Sequence, residues 1–339
     1  MDRQIINNEA TFLQQDITAM QPAISRSISI HIRGDRGRAN LHRVFGWLSN
    51  EVVGLSGPHT RVAIWNGNGG LDNVQAVGRG EVDVALVTPA AFAKMALDGR
   101  GPCKAEPFPH LRALGYVPQD DRMLFAVRSE LGIRSFEELR RKKVPLRITA
   151  GLDNGSGFMG MAAQKLMEKS GIPRAELEQW GGAYIEHNAP MPCINEMMRG
   201  DANAIIQEAV MATQWQEMAD TIDLTFIPIE PAVRDALKAE LDWPSDTLPK
   251  GYLRGMDREM EFLDFSHFLL LTTTDLPDDI AYALSWCLVE KWSGLEDQYR
   301  HIPPERSPVS YPLIPKAVCR TPIPLHDGAA RYFREAKHL

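Results

Sequence analysis

Apolar residues along this chain follow two alternating periods. Leu41, Val44, Phe45, Leu48 and Val52 recur at helical spacing and predict a helix with one buried face. Ser27 to Ile32, Arg61 to Trp65, Val82 to Val87 and Leu111 to Val117 are short apolar runs between polar or glycine-rich segments, and they predict strands. The alternation continues with a strand over Met123 to Val127, a helix opened by the capping box Ser135…Glu138, and a strand over Pro145 to Thr149. A helix with Met159, Ala162, Ala163 and Leu166 on one stripe follows, and Phe265 to Leu271 predicts a returning strand. Ile5, Ile6, Phe12, Leu13, Ile17 and Met20 are spaced like one helix face ended by Pro22, which predicts an N-terminal helical extension over 1–26. Strands alternating with helices place the chain in the α/β class.

One phrase occurs twice. Arg79-Gly80-Glu81-Val82-Asp83-Val84-Ala85-Leu86-Val87-Thr88 returns as Arg199-Gly200-Asp201-Ala202-Asn203-Ala204-Ile205-Ile206-Gln207-Glu208. Each copy ends a helix at a glycine suited to the left-handed position, turns through an acidic residue and enters an apolar strand. Thr88 and Glu208 share one register. Ligands of open α/β sheets bind beyond the carboxyl ends of the strands, so two such sheets facing each other would form a cleft with Thr88 and Glu208 near it.

Composition agrees with two cores: 339 residues, 44% of them hydrophobic. A net charge of −7 with dispersed basic residues argues against nucleic acid as a partner. The one dense basic run, Arg140-Arg141-Lys142-Lys143, reads as a solvated helix end. No stretch approaches transmembrane length, and Met1 to Gln21 lacks a basic start, a sustained apolar run and a small-residue cleavage site. The expectation is a cytoplasmic chain as given, or a periplasmic one if a signal was removed. Cys103, Cys193, Cys287 and Cys319 are scattered without a C-x-x-C pair, so free buried thiols are expected and neither a metal nor a cofactor is.

Candidate chemistry lies in the loops. Gly151 to Gly157 joins a strand to a helix, which leaves N–H groups free at a positive dipole end. Asn154, Gly155, Ser156 and Gly157 would seat a carboxylate or phosphate there, or form an ordinary tight turn. Arg36, between Gly34 and Gly37, offers a bidentate fork to a carboxylate or lies solvated on its loop. Glu208, at the end of an apolar strand, requires an arginine, a ligand group or a proton as partner. His187 after a short strand is a weaker cleft candidate; His267 and His326 read as packing or hydrogen-bonding residues, and Trp65 as core.

Several phrases together resemble the TAXI family of solute-binding proteins, which is associated with TRAP transporters. They are Asn66-Gly67-Asn68-Gly69-Gly70-Leu71-Asp72-Asn73 with Gly80-Glu81-Val82-Asp83-Val84-Ala85, the loop around Gly155-Ser156-Gly157, Thr274-Asp275-Leu276-Pro277-Asp278-Asp279, and Ile323-Pro324-Leu325-His326-Asp327-Gly328-Ala329-Ala330-Arg331-Tyr332-Phe333-Arg334-Glu335. The resemblance runs from about Ser27 to Leu339 and implies a two-lobed type II periplasmic-binding-protein fold. Residues 27–118 and 275–339 would form one lobe and 119–274 the other. It implies closure on a small anionic solute such as a carboxylate, held by Gly34, Arg36, Gly37, Asn66, Asn68 and Thr88 on one side and by Asn154 to Gly157 and Glu208 on the other. TRAP-type membrane subunits would be partners if the protein is exported. Two departures stand out: no export signal is visible, and the first loop carries Arg33, Asp35, Arg36 and Arg38. They leave room for a second class, a cytoplasmic metal-free lyase or decarboxylase of an aromatic or organic acid. There Arg36 would hold the carboxylate and Glu208 or His187 would move the proton.

Overall fold

The computed structural model describes residues 20–35, 40–155 and 157–339. Twelve strands are present among them: β1 (Ser29–Arg33), β2 (Arg61–Trp65), β3 (Val84–Val87), β4 (Leu111–Val117), β5 (Arg122–Arg128), β6 (Arg147–Gly151), β7 (Ala183–His187), β8 (Ala204–Gln207), β9 (Leu224–Phe226), β10 (Ser245–Leu248), β11 (Met260–Asp264) and β12 (Phe268–Thr273). They form two sheets. The first has the order β2-β1-β3-β12-β4, and the second β10-β11-β5-β8-β6-β7 with β9 beside β5. In the first, β1 runs parallel to β2 and β3; in the second, β6 runs parallel to β7 and β8. Parallel strands need crossovers, and helices supply them. Those used below are α1 (Asn40–Gly54), α2 (Gly70–Gly78), α3 (Phe92–Asp98), α4 (Phe136–Lys142), α5 (Phe158–Lys169), α6 (Arg174–Gln179) and α7 (Pro190–Arg199).

The repeated phrase builds equivalent parts. Gly80 (φ 70°) and Gly200 (φ 82°) take the left-handed turn that ends α2 and α7, where a side chain would be strained. The chain then enters β3 and β8, whose residues are all buried within their sheets. Other elements follow local rules as well. The Ser135 hydroxyl accepts the N–H of Glu138 at 3.1 Å and starts α4, and His326 caps the helix Asp327–Glu335 by accepting the N–H of Gly328 at 3.2 Å. All four cysteines are free and buried.

Two expectations need revision, and a third lies mostly outside the described residues. Phe268–Thr273, assigned to the second side by the boundary at 274, pairs with β3 and β4 and so belongs to the first sheet. The second crossing therefore lies between β11 and β12. Trp65 is not core: β2 is an edge strand, and its indole is 51% exposed and stacked on His31. The helical extension over 1–26 falls largely outside the described residues, and 20–26 carry no helix; Ile24 there donates its N–H to the carbonyl of Leu55 at 2.8 Å.

Two segments join the sheets and bond to each other. Phe265 donates its N–H to the carbonyl of Asp121 at 3.0 Å, and His267 donates to that of Gln119 at 3.2 Å. The Arg122 guanidinium, only 4% exposed, bonds Asp120 at 2.8 Å, the Asp121 carbonyl at 2.7 Å, the Ser266 hydroxyl at 2.7 Å and Asp264 at 3.3 Å, and it also pairs with Asp246. One cation thus fastens both crossings to β10. Beside them the Phe92 ring of α3 lies 4.0 Å from that of Phe158 on α5 and 4.7 Å from Trp243, so one buried cluster spans both sheets.

Removing that cation leaves Asp120, Asp246 and Asp264 without its counter-charge. Arg122→Ala is expected to destabilise the protein by about 2 kcal/mol, less than the 3–5 typical of a fully buried pair because Asp120 and Asp246 remain in contact with water. Asp246→Asn should cost below about 1 kcal/mol. Urea denaturation of both variants checks the contrast, and equal losses would show that the clamp does not rest on the guanidinium.

Candidate functional site

The carboxyl ends of the parallel strands in both sheets open on one cavity of about 560 Å³. Asp35, Asn40 and Leu41 line it after β1, Asn68 to Gly70 after β2, and Thr88 after β3. From the second sheet come Gly157 to Met159 after β6, Ala189 to Met191 after β7, and Glu208, Ala209 and Met211 after β8. Gln119, Phe265 and Phe268 close the side next to the crossings. The duplicated register therefore has a spatial meaning: Thr88 and Glu208 face the same space from opposite sheets.

Helix starts supply the polar character. α2 begins after Gly69, α5 after Gly157 and α7 after Ala189, and none of these positions has a side-chain cap. α5 and α7 also carry no acidic residue in the first turn. The first N–H groups of α5 are thus left to solvent or to a ligand, whereas in the first turn of α7 Pro190 and Pro192 have none and Met191 supplies one; the helix dipole adds positive potential at both starts. In α2 the opposing charge of Asp72 is engaged by Arg33 at 2.8 Å. Gln119 is 4% exposed; its Nε2 reaches Asp121 at 3.4 Å, while its amide oxygen has no hydrogen-bond partner among the described residues. A buried amide oxygen in a cavity wall is a donor-seeking group.

Behind Glu208 stands a second carboxyl. Asp121, 1% exposed, accepts the N–H of Ala209 at 3.0 Å on one oxygen and that of Val210 at 3.0 Å on the other. This grip holds Ala209 at φ 62°, a strained conformation for a residue with a side chain. The Glu208 carbonyl accepts the indole N–H of Trp215 at 2.9 Å, which fixes the other side of the turn. Burial pushes the carboxyl of Asp121 well above its ordinary range, with repulsion from Glu208 next, and burial raises that of Glu208 as well. Two such neighbours do not both ionise readily, so the pair retains a proton where a solvated carboxylate has lost it.

The structure brings Asn68, Thr88, Gly157 and Glu208 together on the cavity wall. Gly34, Asn66, Asn154 and Gly155 do not line it. Gly34 instead lends its carbonyl to the Asn73 side chain at 2.9 Å. Arg36, Gly37 and Ser156 lie outside the described residues. His187, the last residue of β7, has its Nε2 3.3 Å from Glu196 of α7 and does not line the cavity wall. The partner beside Glu208 is the Asp121 carboxyl, with which it hydrogen-bonds. Sequence reasoning missed Gln119, Asp121 and the apolar wall of Leu41, Phe158, Met159, Met191 and Met211. Only the lobe boundary between 118 and 119 fell near Gln119 and Asp121, and it marked a change of lobe, not a site.

Comparison with known proteins places this geometry. Similar solved structures include a TctC solute-binding protein from Polaromonas, at 15% identity and a TM-score of 0.51, covering 93% of this chain and 99% of that one. A protein of Xanthomonas citri bound to ATP follows at 14% identity, a TM-score of 0.46 and coverages of 92% and 100%. An alkanesulfonate-binding protein of Xanthomonas axonopodis pv. citri bound to MOPS has 14% identity, a TM-score of 0.38 and coverages of 93% and 95%. No curated protein matches the sequence significantly. At these identities the first of the structures speaks for the fold alone, the two-sheet α/β architecture of solute-binding proteins. A family model matches directly over residues 55–336, and on that match the chain belongs to the NMT1-like family.

Proposed function

We propose that the protein is a solute-binding receptor of the TAXI kind whose two lobes close on a small carboxylate. The supporting observation is the convergence of the uncapped starts of α2, α5 and α7 on one cavity that both sheets line. A carboxylate placed there would accept backbone N–H groups at three dipole ends, and the retained proton on the Asp121–Glu208 pair would donate to it. Arg36 is proposed to add a formal charge from the first loop. The first lobe would comprise 27–118 with 268–339, and the second 119–264. Transfer to TRAP-type membrane subunits is the corresponding partner proposal for an exported receptor. Among the described residues no helix is long and apolar enough to cross a membrane itself.

One observation favours a second reading, a metal-free carboxy-lyase on the same scaffold: a carboxyl pair that keeps its proton stands at a largely apolar cavity. In that case Glu208 would protonate the carbon that loses carbon dioxide.

Three outcomes are expected. In a thermal-shift and calorimetry panel, carboxylates should stabilise the protein and neutral sugars should not, with a ligand at ~100 times its Kd adding about 2.7 kcal/mol; a panel in which only sugars or cations score would remove the anion assignment. Wild-type stability should fall as pH rises from the ordinary carboxylate range toward the pair's raised range, because there the folded state holds a proton that the unfolded chain has released. Glu208→Gln takes away one acid and its repulsion, so its fall between pH 5 and 8 in urea titrations should be shallower; parallel curves would refute the shared proton. Prolonged incubation of wild type with aromatic and aliphatic acids, followed by chromatography, should return them unchanged. Turnover that Glu208→Gln slows by ~100-fold or more would establish the lyase in place of the receptor.

A further inference from the structure

Each strand end of the second sheet that reaches the cavity delivers one methionine: Met159 after β6, Met191 after β7 and Met211 after β8. Met211 is buried, whereas Met159 and Met191 sit partly buried at the margins of the two core clusters they pack against. Phe265 and Phe268 continue the apolar lining beside the crossings. The polar features are few by comparison. They are the helix starts, Asp35, Asn40, Asn68, the Thr88 hydroxyl, the unpartnered Gln119 amide oxygen and Glu208 with Asp121 behind it.

A short dicarboxylate or a hydroxy acid carries polar groups over most of its surface. Bound here, it would press some of them against methionine and phenylalanine, where they would lose water and gain no hydrogen bond. An acid with a hydrocarbon body matches both parts of the wall. Methionine side chains, unbranched and polarizable, adapt to a flexible chain or to a ring edge. From this, resting on the carboxylate reading above, we infer that the solute is an amphipathic monocarboxylate: one carboxylate held at the α5 and α7 starts and an alkyl or aryl body seated on Met159, Met191 and Met211. A cavity of about 560 Å³ lies within the range that holds such molecules whole.

The test is isothermal titration of the full chain with the straight-chain acids from butanoate to octanoate, with the matching primary alcohols, and with succinate and glutarate. Affinity for the acids should rise about fourfold with each added methylene, and octanoate should bind at least tenfold more tightly than glutarate. A flat series, glutarate equal to or tighter than octanoate, or no binding of any acid at millimolar concentration would overturn the amphipathic assignment. Alcohols that bind as tightly as the acids while the chain-length slope persists would overturn the carboxylate reading and leave the apolar seat standing. Met191→Gln, close in shape and only partly buried, should weaken octanoate about tenfold and leave butanoate within twofold. Its melting temperature without ligand reports whether the fold is intact. Equal losses for both acids in a folded variant would show that the methionine does not contact the hydrocarbon body.

Discussion

The buried carboxyl of Asp121 is the contact on which the site depends. It sits in a crossing between the sheets, yet its oxygens hold the N–H groups of Ala209 and Val210, at the end of a strand 88 positions further along. An apolar residue at 121 would leave two N–H groups unsatisfied in the interior and would free the turn that carries Glu208. Arg122, next in sequence, fastens the same crossing to its partner segment through Ser266 and Asp264. The two neighbours thus divide the work. One side chain sets the geometry of a cavity wall, and the other keeps the crossings in register.

Much of the fold was legible because its signals are local. The glycines at 80 and 200, the Ser135 cap and the apolar faces each need only a few neighbouring residues to be read. The duplicated phrase carried the most, since equal register in two similar halves placed Thr88 and Glu208 beyond equivalent strands before any contact was known. The end of the second side was harder to read. Phe268–Thr273 is buried with β3 and β4, partners that lie about 150 to 190 residues upstream, and an apolar run does not announce which sheet will take it.

The cavity wall was legible only in part for a related reason. Loop glycines and charged residues suggested ligand contacts, but Gly34, Asn66 and Gly155 stand off the cavity wall, whereas Met159, Met191 and Met211 read as ordinary helix or loop apolar residues. Their grouping depends on three strand ends arriving at one place. Asp121 was hidden by its setting: an aspartate in a polar run suggests solvent, and only the tertiary fold removes it from water and opposes it to Glu208.

Phe158 opens α5 and is 2% exposed; its ring rests on Phe92 at 4.0 Å, and a side chain on Gly70 would meet it at 3.1 Å. α5 belongs to the second sheet's side and α2 and α3 to the first, so this one ring touches both halves of the molecule. Separating the halves wets it, at a cost of about 2 kcal/mol on area alone. The contact ties α5 to the first half through a buried ring, so any rearrangement between the halves has to expose Phe158.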